Sequence, residues 1–286
     1  MSTIDFRGYK VWYRTSGSGE PMLFLHNGGN DHRIWDRQVE HFSKSHRVIV
    51  VDHLGHGQSD CPSIDYTLPL YTEEVAALVD GLNLAPVTLV GHCIGGAMAL
   101  NYTIAHPENV RALVLFNVAT EDTLCAGPLG DVYHNFSGNR AALEAFVQDI
   151  ESAPLSREQT DASLQNQLGA TAVAQDPEFA AHIHRLYNQK GQKRTLYNIL
   201  AQFETYRGLD RFSPPAEFPP VFLFWGEANN ILPSTAGAAF RDHLKPAGFH
   251  VLSGCGHLAM REKPEEVNQK IEEFRVALPR EKAHAK

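Results

Sequence analysis

Cys93 lies in the run Val87-Thr88-Leu89-Val90-Gly91-His92-Cys93-Ile94-Gly95-Gly96-Ala97, where an apolar strand pattern gives way at once to a small-residue helix. A residue at such a bend is held in a strained backbone conformation that pushes its side chain out of the sheet, and glycines two residues to either side let strand and helix approach closely. Gly91 and Gly95 occupy those two positions. The pattern predicts a thiol presented as a nucleophile, against the simpler reading of a small buried core residue. Cys61, Cys125 and Cys255 complete the cysteines and show no C-x-x-C spacing, so all four read as reduced thiols rather than a disulfide or metal framework. The histidine pairs His53/His56 and His182/His184 read as surface or packing residues, and no metal is expected.

The elements that must position this thiol are short. Apolar, β-rich runs at 22–25, 48–51, 87–90, 112–116 and 221–225 alternate with helix-like segments, the signature of a parallel sheet covered on both faces. Between them, 71–82 carries Val75, Leu78, Val79 and Leu82 at helical spacing, and 96–105 continues the bend at Cys93 as a helix. Residues 8–15 alternate like an antiparallel edge strand, followed by the turn Gly17-Ser18-Gly19-Glu20-Pro21. From 121 to 218 the strand rhythm stops and the chain reads as helices broken at Gly138, Pro154, Asp176-Pro177 and Gly191. Four prolines at 214, 215, 219 and 220 then stiffen the return to the sheet. The expected organisation is a core of 1–120 and 219–286 with a helical cap inserted at 121–218, and an amphipathic helix over 264–278 packed back on the sheet.

With 286 residues, 43% of them hydrophobic and 20% charged, the chain can bury one large core plus an inserted lobe. A formal net charge of −8 leaves no basic footprint for nucleic acid or an anionic membrane. The start, Met1-Ser2-Thr3-Ile4-Asp5-Phe6-Arg7, lacks the apolar stretch of a secretory leader, and no run reaches the length of a membrane span, so a cytoplasmic location is expected. Neither the dinucleotide-binding glycine spacing nor a phosphate-binding loop with its lysine is found, so no cofactor is expected.

Four motifs, in order along the chain, resemble the α/β-hydrolase superfamily, and the resemblance covers nearly the whole chain. Leu25-His26-Asn27-Gly28-Gly29 is similar to the family's His-Gly loop, with Trp35 following; Asp52-His53-Leu54-Gly55-His56-Gly57-Gln58-Ser59 is similar to its D-x-x-G-x-G-x-S loop; the bend at Cys93 is similar to its nucleophile elbow; and Gly254-Cys255-Gly256-His257 is similar to the loop that carries its catalytic histidine. The resemblance implies a mostly parallel sheet with helices on both faces and a cap. Where the family carries an acid, Gly226-Glu227-Ala228-Asn229 places an amide. The implied catalytic set is therefore Cys93, His257 and Asn229, a Cys-His-Asn arrangement like that of papain-like proteases on another fold. A thiol loses its proton far more readily than an alcohol and needs a buried carboxylate less, so the two departures form one coherent set.

In this reading Cys93 attacks a carbonyl, His257 takes its proton and returns one to the leaving group, and Asn229 orients the ring through its side-chain oxygen. Backbone N–H groups of Ile94 and of Asn27 or Gly28 would meet the oxyanion. Glu121 and Asp122, after the 112–116 strand, are alternative acids. His26, His92, Tyr133, His134 and Phe136 are candidate pocket residues, or core. The expected substrate is a small-molecule ester or thioester, a coenzyme A or carrier-protein thioester included, hydrolysed through an acyl-thioester enzyme by a monomer or homodimer. Two other readings stand beside it. Dienelactone hydrolases use an elbow cysteine to hydrolyse and polyhydroxyalkanoate synthases to transfer acyl groups, so passage of the acyl group to an amine, alcohol, thiol or carbon nucleophile is open. A ligand-binding protein that has lost its chemistry is the other.

Overall fold

The computed structural model describes residues 2–169 and 176–278. Eight strands form one sheet: β1 (Ser2–Phe6), β2 (Tyr9–Ser16), β3 (Pro21–Leu25), β4 (Arg47–Asp52), β5 (Val87–His92), β6 (Val110–Phe116), β7 (Val221–Gly226) and β8 (Gly248–Leu252). Their order across the sheet is β1-β2-β4-β3-β5-β6-β7-β8, with β1, β2 and β4 paired antiparallel and every pair from β4 to β8 parallel. The parallel core expected from the apolar runs is therefore present. Residues 8–15 do form a strand, but β2 is not the edge: β1 pairs along its outer side, with Ile4 opposite Val11.

The alternation of side chains along each strand sorts the sheet into two cores. Leu23, Leu25, Ile49, Val51, Leu89, Leu113, Leu115 and Leu223 face one side, where α2 (Leu68–Gly81) and α3 (Ile94–Ala105) bury Val75, Leu78, Met98 and Leu100 against them. Met22, Phe24, Val48, Val50, Val90, Val114, Phe116 and Phe224 face the other, under α1 (Asp36–Phe42). Thr67 caps α2, its side chain accepting from Leu70 N–H at 3.3 Å. Between β6 and β7 come α4 (Glu121–Cys125), α5 (Leu129–Phe136), α6 (Arg140–Glu151), α7 (Arg157–Gln167), α8 (Pro177–Tyr187), α9 (Gln192–Ala201) and α10 (Arg207–Asp210). After β7 follow α11 (Ser234–Leu244), α12 (Ala259–Glu262) and α13 (Pro264–Ala277), which buries Val267, Ile271 and Phe274 on the α1 side of the sheet.

The chain leaves β3 for β4 on one side and returns to β5 on the other, so the strand order reverses between β3 and β5. In an open parallel sheet the crevice beyond the carboxyl ends of two such strands is where ligands bind. The loop after β3 carries Asn27 and Gly28, and Cys93 follows β5 directly. No helix among the described residues is long and apolar enough to cross a membrane.

The crossing of β5 and α3 tolerates no side chain at its glycines. A Cβ on Gly95 would lie 2.3 Å from the backbone oxygen of Leu25, and one on Gly91 2.4 Å from that of Gly95. Neither contact can be relieved by a rotamer change. Gly95→Ala is expected to destabilise the protein by about 3 kcal/mol, read as a lower urea midpoint at unchanged slope; a shift of a few tenths would show that the strand and helix are free to part.

Candidate active site

Cys93 sits between β5 and α3 with φ 55° and ψ −113°, the strained conformation that the sequence pattern predicts. Its N–H donates to Phe116 O at 2.9 Å, and its carbonyl accepts from Ala97 N at 3.0 Å and Ala119 N at 3.2 Å. Three bonds from three segments thus hold the bend. The thiol lines a cavity of about 230 Å³ that is also lined by His257, Asn27, Gly28 and Ile94, so two of the three candidate catalytic residues and all three candidate oxyanion residues meet at one space, while Asn229 is not among its described lining residues. The Ile94 amide belongs to the first turn of α3, where a backbone N–H has no partner within the helix.

The two reactive groups rest uncharged. Burial pushes the Cys93 thiol up to about 12, opposed by the Ile94 amide, and burial pushes His257 down to about 3. No hydrogen bond joins them among the described residues, so no thiolate-imidazolium pair is stored. His257 is placed through its backbone: its N–H donates to Gln167 O at 2.7 Å, and its carbonyl accepts from Asn117 Nδ2 at 2.8 Å. Its ring packs on that of His92 with centroids 4.4 Å apart. Its Nδ1 is buried without a partner.

Asn229 departs from the sequence expectation in one respect. Among the described residues its side-chain oxygen makes no hydrogen bond to the imidazole; it accepts from Ile231 N at 2.9 Å and Leu232 N at 3.0 Å. The Glu227, Ala228 and Asn229 amides after β7 bond to backbone carbonyls, whereas those of Ile231 and Leu232 are taken by the asparagine oxygen, which closes the turn. The Nδ2 of Asn229 is buried without a partner.

The alternative acids are committed elsewhere. Glu121 accepts from Arg207 and from Tyr133 Oη at 2.8 Å, and the guanidinium holds its carboxyl below the usual range. The Asp122 backbone N–H bonds Asp210 at 3.2 Å, and Asp122 lines a separate cleft with Phe240 and His243. Neither acid lines the cavity that holds Cys93.

None of the five candidate pocket residues lines that cavity either. Tyr133 is buried in the core over α3; His134 is exposed; Phe136 packs with Leu143, Val147 and Ala201 in a small cluster of its own. His92 lies beneath His257. His26 supports the oxyanion loop instead of facing it: its Nδ1 donates to Asn27 O at 2.7 Å while its Nε2 accepts from His53 N at 3.0 Å, and burial keeps the ring neutral.

Residues that sequence reasoning missed form the far wall. Gln167, at the end of α7, donates through Nε2 to Tyr187 Oη at 2.8 Å, accepts from Asn30 Nδ2 at 3.1 Å, and takes the His257 and Leu258 N–H groups on its carbonyl. With Ser163, Asn166 and Tyr187 it gives the cavity a polar, uncharged side. Leu124, Leu129, Val132, Leu196, Leu200 and Phe203 give it an apolar one. No aspartate, glutamate, lysine or arginine is among its described lining residues. Asn117, at φ 43°, bridges the Gly226 amide and His257 O; an asparagine directly after a buried strand is the signal that would have found it, since asparagine accepts positive φ readily.

Asp31, His32 and Asp52 bring three ligand-type atoms within 4.8 Å of one another. Their lone pairs are already used: His182 bonds Asp31 at 2.7 Å, Arg33 N bonds its other oxygen at 3.0 Å, and Asp52 takes His32 Nδ1 at 2.7 Å and Gln58 N at 3.0 Å. This is a structural network tying the β3 and β4 loops together.

The sequence from residue 20 to 264 matches the family model described as alpha/beta hydrolase fold. The chain belongs to that family. It is 24% identical over 298 residues to a cis-3-alkyl-4-alkyloxetan-2-one decarboxylase of Shewanella oneidensis, covering 95% of this chain and 86% of the relative. Among solved structures, Est816, described as an N-acyl homoserine lactone degrading enzyme, superposes with a TM-score of 0.75 at 23% identity, over 96% of this chain and all of the other. The enol-lactonase of Burkholderia xenovorans gives 0.74 at 19% identity over the same shares. These likenesses show the fold.

Because the resting thiol is protonated, Cys93 is expected to react with iodoacetamide at pH 7.5 about 10²–10³-fold more slowly than free cysteine, with the rate rising about tenfold per pH unit. Peptide-resolved mass spectrometry separates it from the exposed Cys61 and Cys125. Modification as fast as that of a free thiol would mean that a thiolate is stored after all.

Proposed function

We propose that this chain is an acyl hydrolase in which Cys93 forms a thioester with the acyl group of a small, uncharged ester, lactone or thioester and water then releases the acid. The observation that carries this reading is the meeting of a strained, outward-facing thiol with an imidazole and amide donors at one cavity. The Sγ–C bond forms as the C–O or C–S bond to the leaving group breaks, and the thiol proton reaches the leaving atom through His257. Water then adds to the carbonyl, the C–S bond breaks, and a proton returns to sulfur. Negative charge on the carbonyl oxygen would be met by Ile94 N–H and by Asn27 or Gly28 N–H, each such donor being worth about 10²–10³ in rate.

The cavity supports the substrate class. At about 230 Å³ it is small for a ligand site. With no charged side chain to pair a carboxylate or phosphate, it favours a neutral acyl group whose apolar part lies toward Leu124, Leu129 and Phe203 and whose polar part lies toward Gln167, Asn166 and Tyr187. The helices α4 to α10 act as the cap in this reading, since α5, α7 and α9 supply much of that lining. Any coenzyme A or carrier portion would stay outside. One structural neighbour degrades N-acyl homoserine lactones and another is an enol-lactonase, which supports the same class.

The test is intact-mass measurement after mixing with a panel of neutral short-chain esters, lactones and thioesters. An acyl adduct is expected on the wild type and not on Cys93→Ala, and His257→Ala should slow its formation by about 10²-fold or more. Equal labelling of Cys93→Ala would overturn the reading. Conjugate formed in place of free acid when an amine or alcohol is supplied would turn it into acyl transfer. Ligand-induced stabilisation with no adduct would make the chain a binding protein.

A further inference from the structure

We propose that Asn229 turns its amide NH2, not its oxygen, toward His257 and so holds the imidazole as the neutral Nε2–H tautomer, with the Nδ1 lone pair facing Asn229. The orientation of the amide is dictated by its neighbours. Ile231 N–H and Leu232 N–H both donate to the asparagine oxygen, at 2.9 and 3.0 Å, and a flipped amide would set an NH2 against two N–H donors. That leaves Nδ2 as the free pole of the side chain. Among the described residues it is buried and without a partner, and so is Nδ1 of His257.

The two loops that carry these atoms run together. Ala228 N donates to Cys255 O at 2.8 Å, and Gly226 packs so closely that a Cβ there would lie 2.0 Å from Gly256 O. One N–H···N bond between Asn229 Nδ2 and His257 Nδ1 would satisfy both atoms. The opposite tautomer would aim an Nδ1 proton at the amide hydrogens and leave both donors unmatched. Of the other groups near the ring, Glu262 of α12 is committed to the Gly256 and Gly169 amides, both at 2.7 Å, Gln167 and Asn117 bond only the backbone of His257, and His92, a neutral imidazole with neither nitrogen partnered among the described residues, lies tilted by 56° against the ring with centroids 4.4 Å apart.

An aspartate at this position could accept the backbone amides on one oxygen and an Nδ1 proton on the other. Asparagine can do only the first. Asn229 is thus a positioning residue that makes His257 a hydrogen-bond donor toward the cavity at rest. Its bearing on turnover rests on the acyl-Cys93 reading: His257 would give its Nε2 proton to the leaving atom and take the thiol proton in return, donation preceding acceptance. The tautomer itself does not depend on that reading.

Two-bond 1H–15N spectra of the 15N-histidine-labelled protein report the tautomer without turnover, and the His257 signals are those lost in His257→Gln. The wild type should show a neutral Nε2–H ring, and Asn229→Asp an Nδ1–H or doubly protonated one. The same Asn229→Asp substitution should raise the rate of Cys93 alkylation at pH 7.5 at least tenfold. Asn229→Ala, which removes both poles, should give a mixed tautomer if the aspartate variant fails to fold. An Nδ1–H ring in the wild type, or one unchanged in the variants, overturns the proposal. An Nε2–H ring in a protein that forms no acyl adduct would uphold it while removing the hydrolase reading.

Discussion

Everything at this site follows from the backbone of Cys93. A non-glycine residue at φ 55° costs about 1–3 kcal/mol and persists only where its surroundings leave it no other conformation. Here the N–H is pinned to the end of β6, and the carbonyl to both the first turn of α3 and the chain leaving β6. The end of β6 is itself rigid: Phe116 stacks on Phe224 of β7 at 4.5 Å and meets Trp35 edge-on at 5.7 Å. The elbow is therefore as stiff as the centre of the sheet. That stiffness fixes where the sulfur and the Ile94 amide point before any substrate arrives, which is the condition for stabilising a transition state without reorganisation.

The second constraint is that the site is neutral. His26, His92 and His257 are all held in the uncharged form, burial being the first cause in each case. Imidazoles kept neutral in this way offer one donor and one acceptor each, and their partners decide which nitrogen does what. For His26 that choice is settled by Asn27 O on one side and His53 N on the other. A charge created in such a cavity is costly unless donors already wait for it. In the proposed reading the amides of Ile94 and of Asn27 or Gly28 would do so, and the amide and phenol wall built on Gln167 and Tyr187 would solvate the rest of a polar ligand without adding charge.

The central strands and the elbow were legible because both are local: apolar runs bounded by turns mark β3 to β7, and glycines at fixed spacing mark the bend. β8 was not, since Gly248-Phe249-His250-Val251-Leu252 is a half-exposed edge strand whose pattern lacks a continuous apolar run. β1 escaped for the same reason, with only Phe6 buried. The motifs singled out Cys93, His257 and the Asn27-Gly28 loop, and the fold brings these to one cavity. They could not show which way the Asn229 amide turns, because that depends on two backbone N–H groups after β7. Nor could aromatic content find the pocket wall. Tyr133 and Phe136 are aromatic and close in sequence to lining residues, yet helical rotation points one into the core and the other into a side cluster, while Gln167, nearly 40 residues past 129, closes the cavity.

The substitutions at 93 and 229 constrain each other. An alcohol at 93 would have to lose its proton to an imidazole whose Nδ1 side offers no acceptor. In a serine protease the same loss of a carboxylate costs about 10⁴ in turnover because the ring sits in the wrong tautomer. A thiol starts several orders of magnitude more acidic, and sulfur is a strong nucleophile even when little of it is ionised. In the acyl-Cys93 reading, an amide at 229 would therefore suit sulfur at 93 better than oxygen, provided that the acyl groups are activated or carry a leaving atom that can accept a proton. What such a site gave up in basicity it would keep as a hydrogen-bond donor aimed at the departing group, so the balance of catalysis would shift from activating the nucleophile to assisting the bond that breaks.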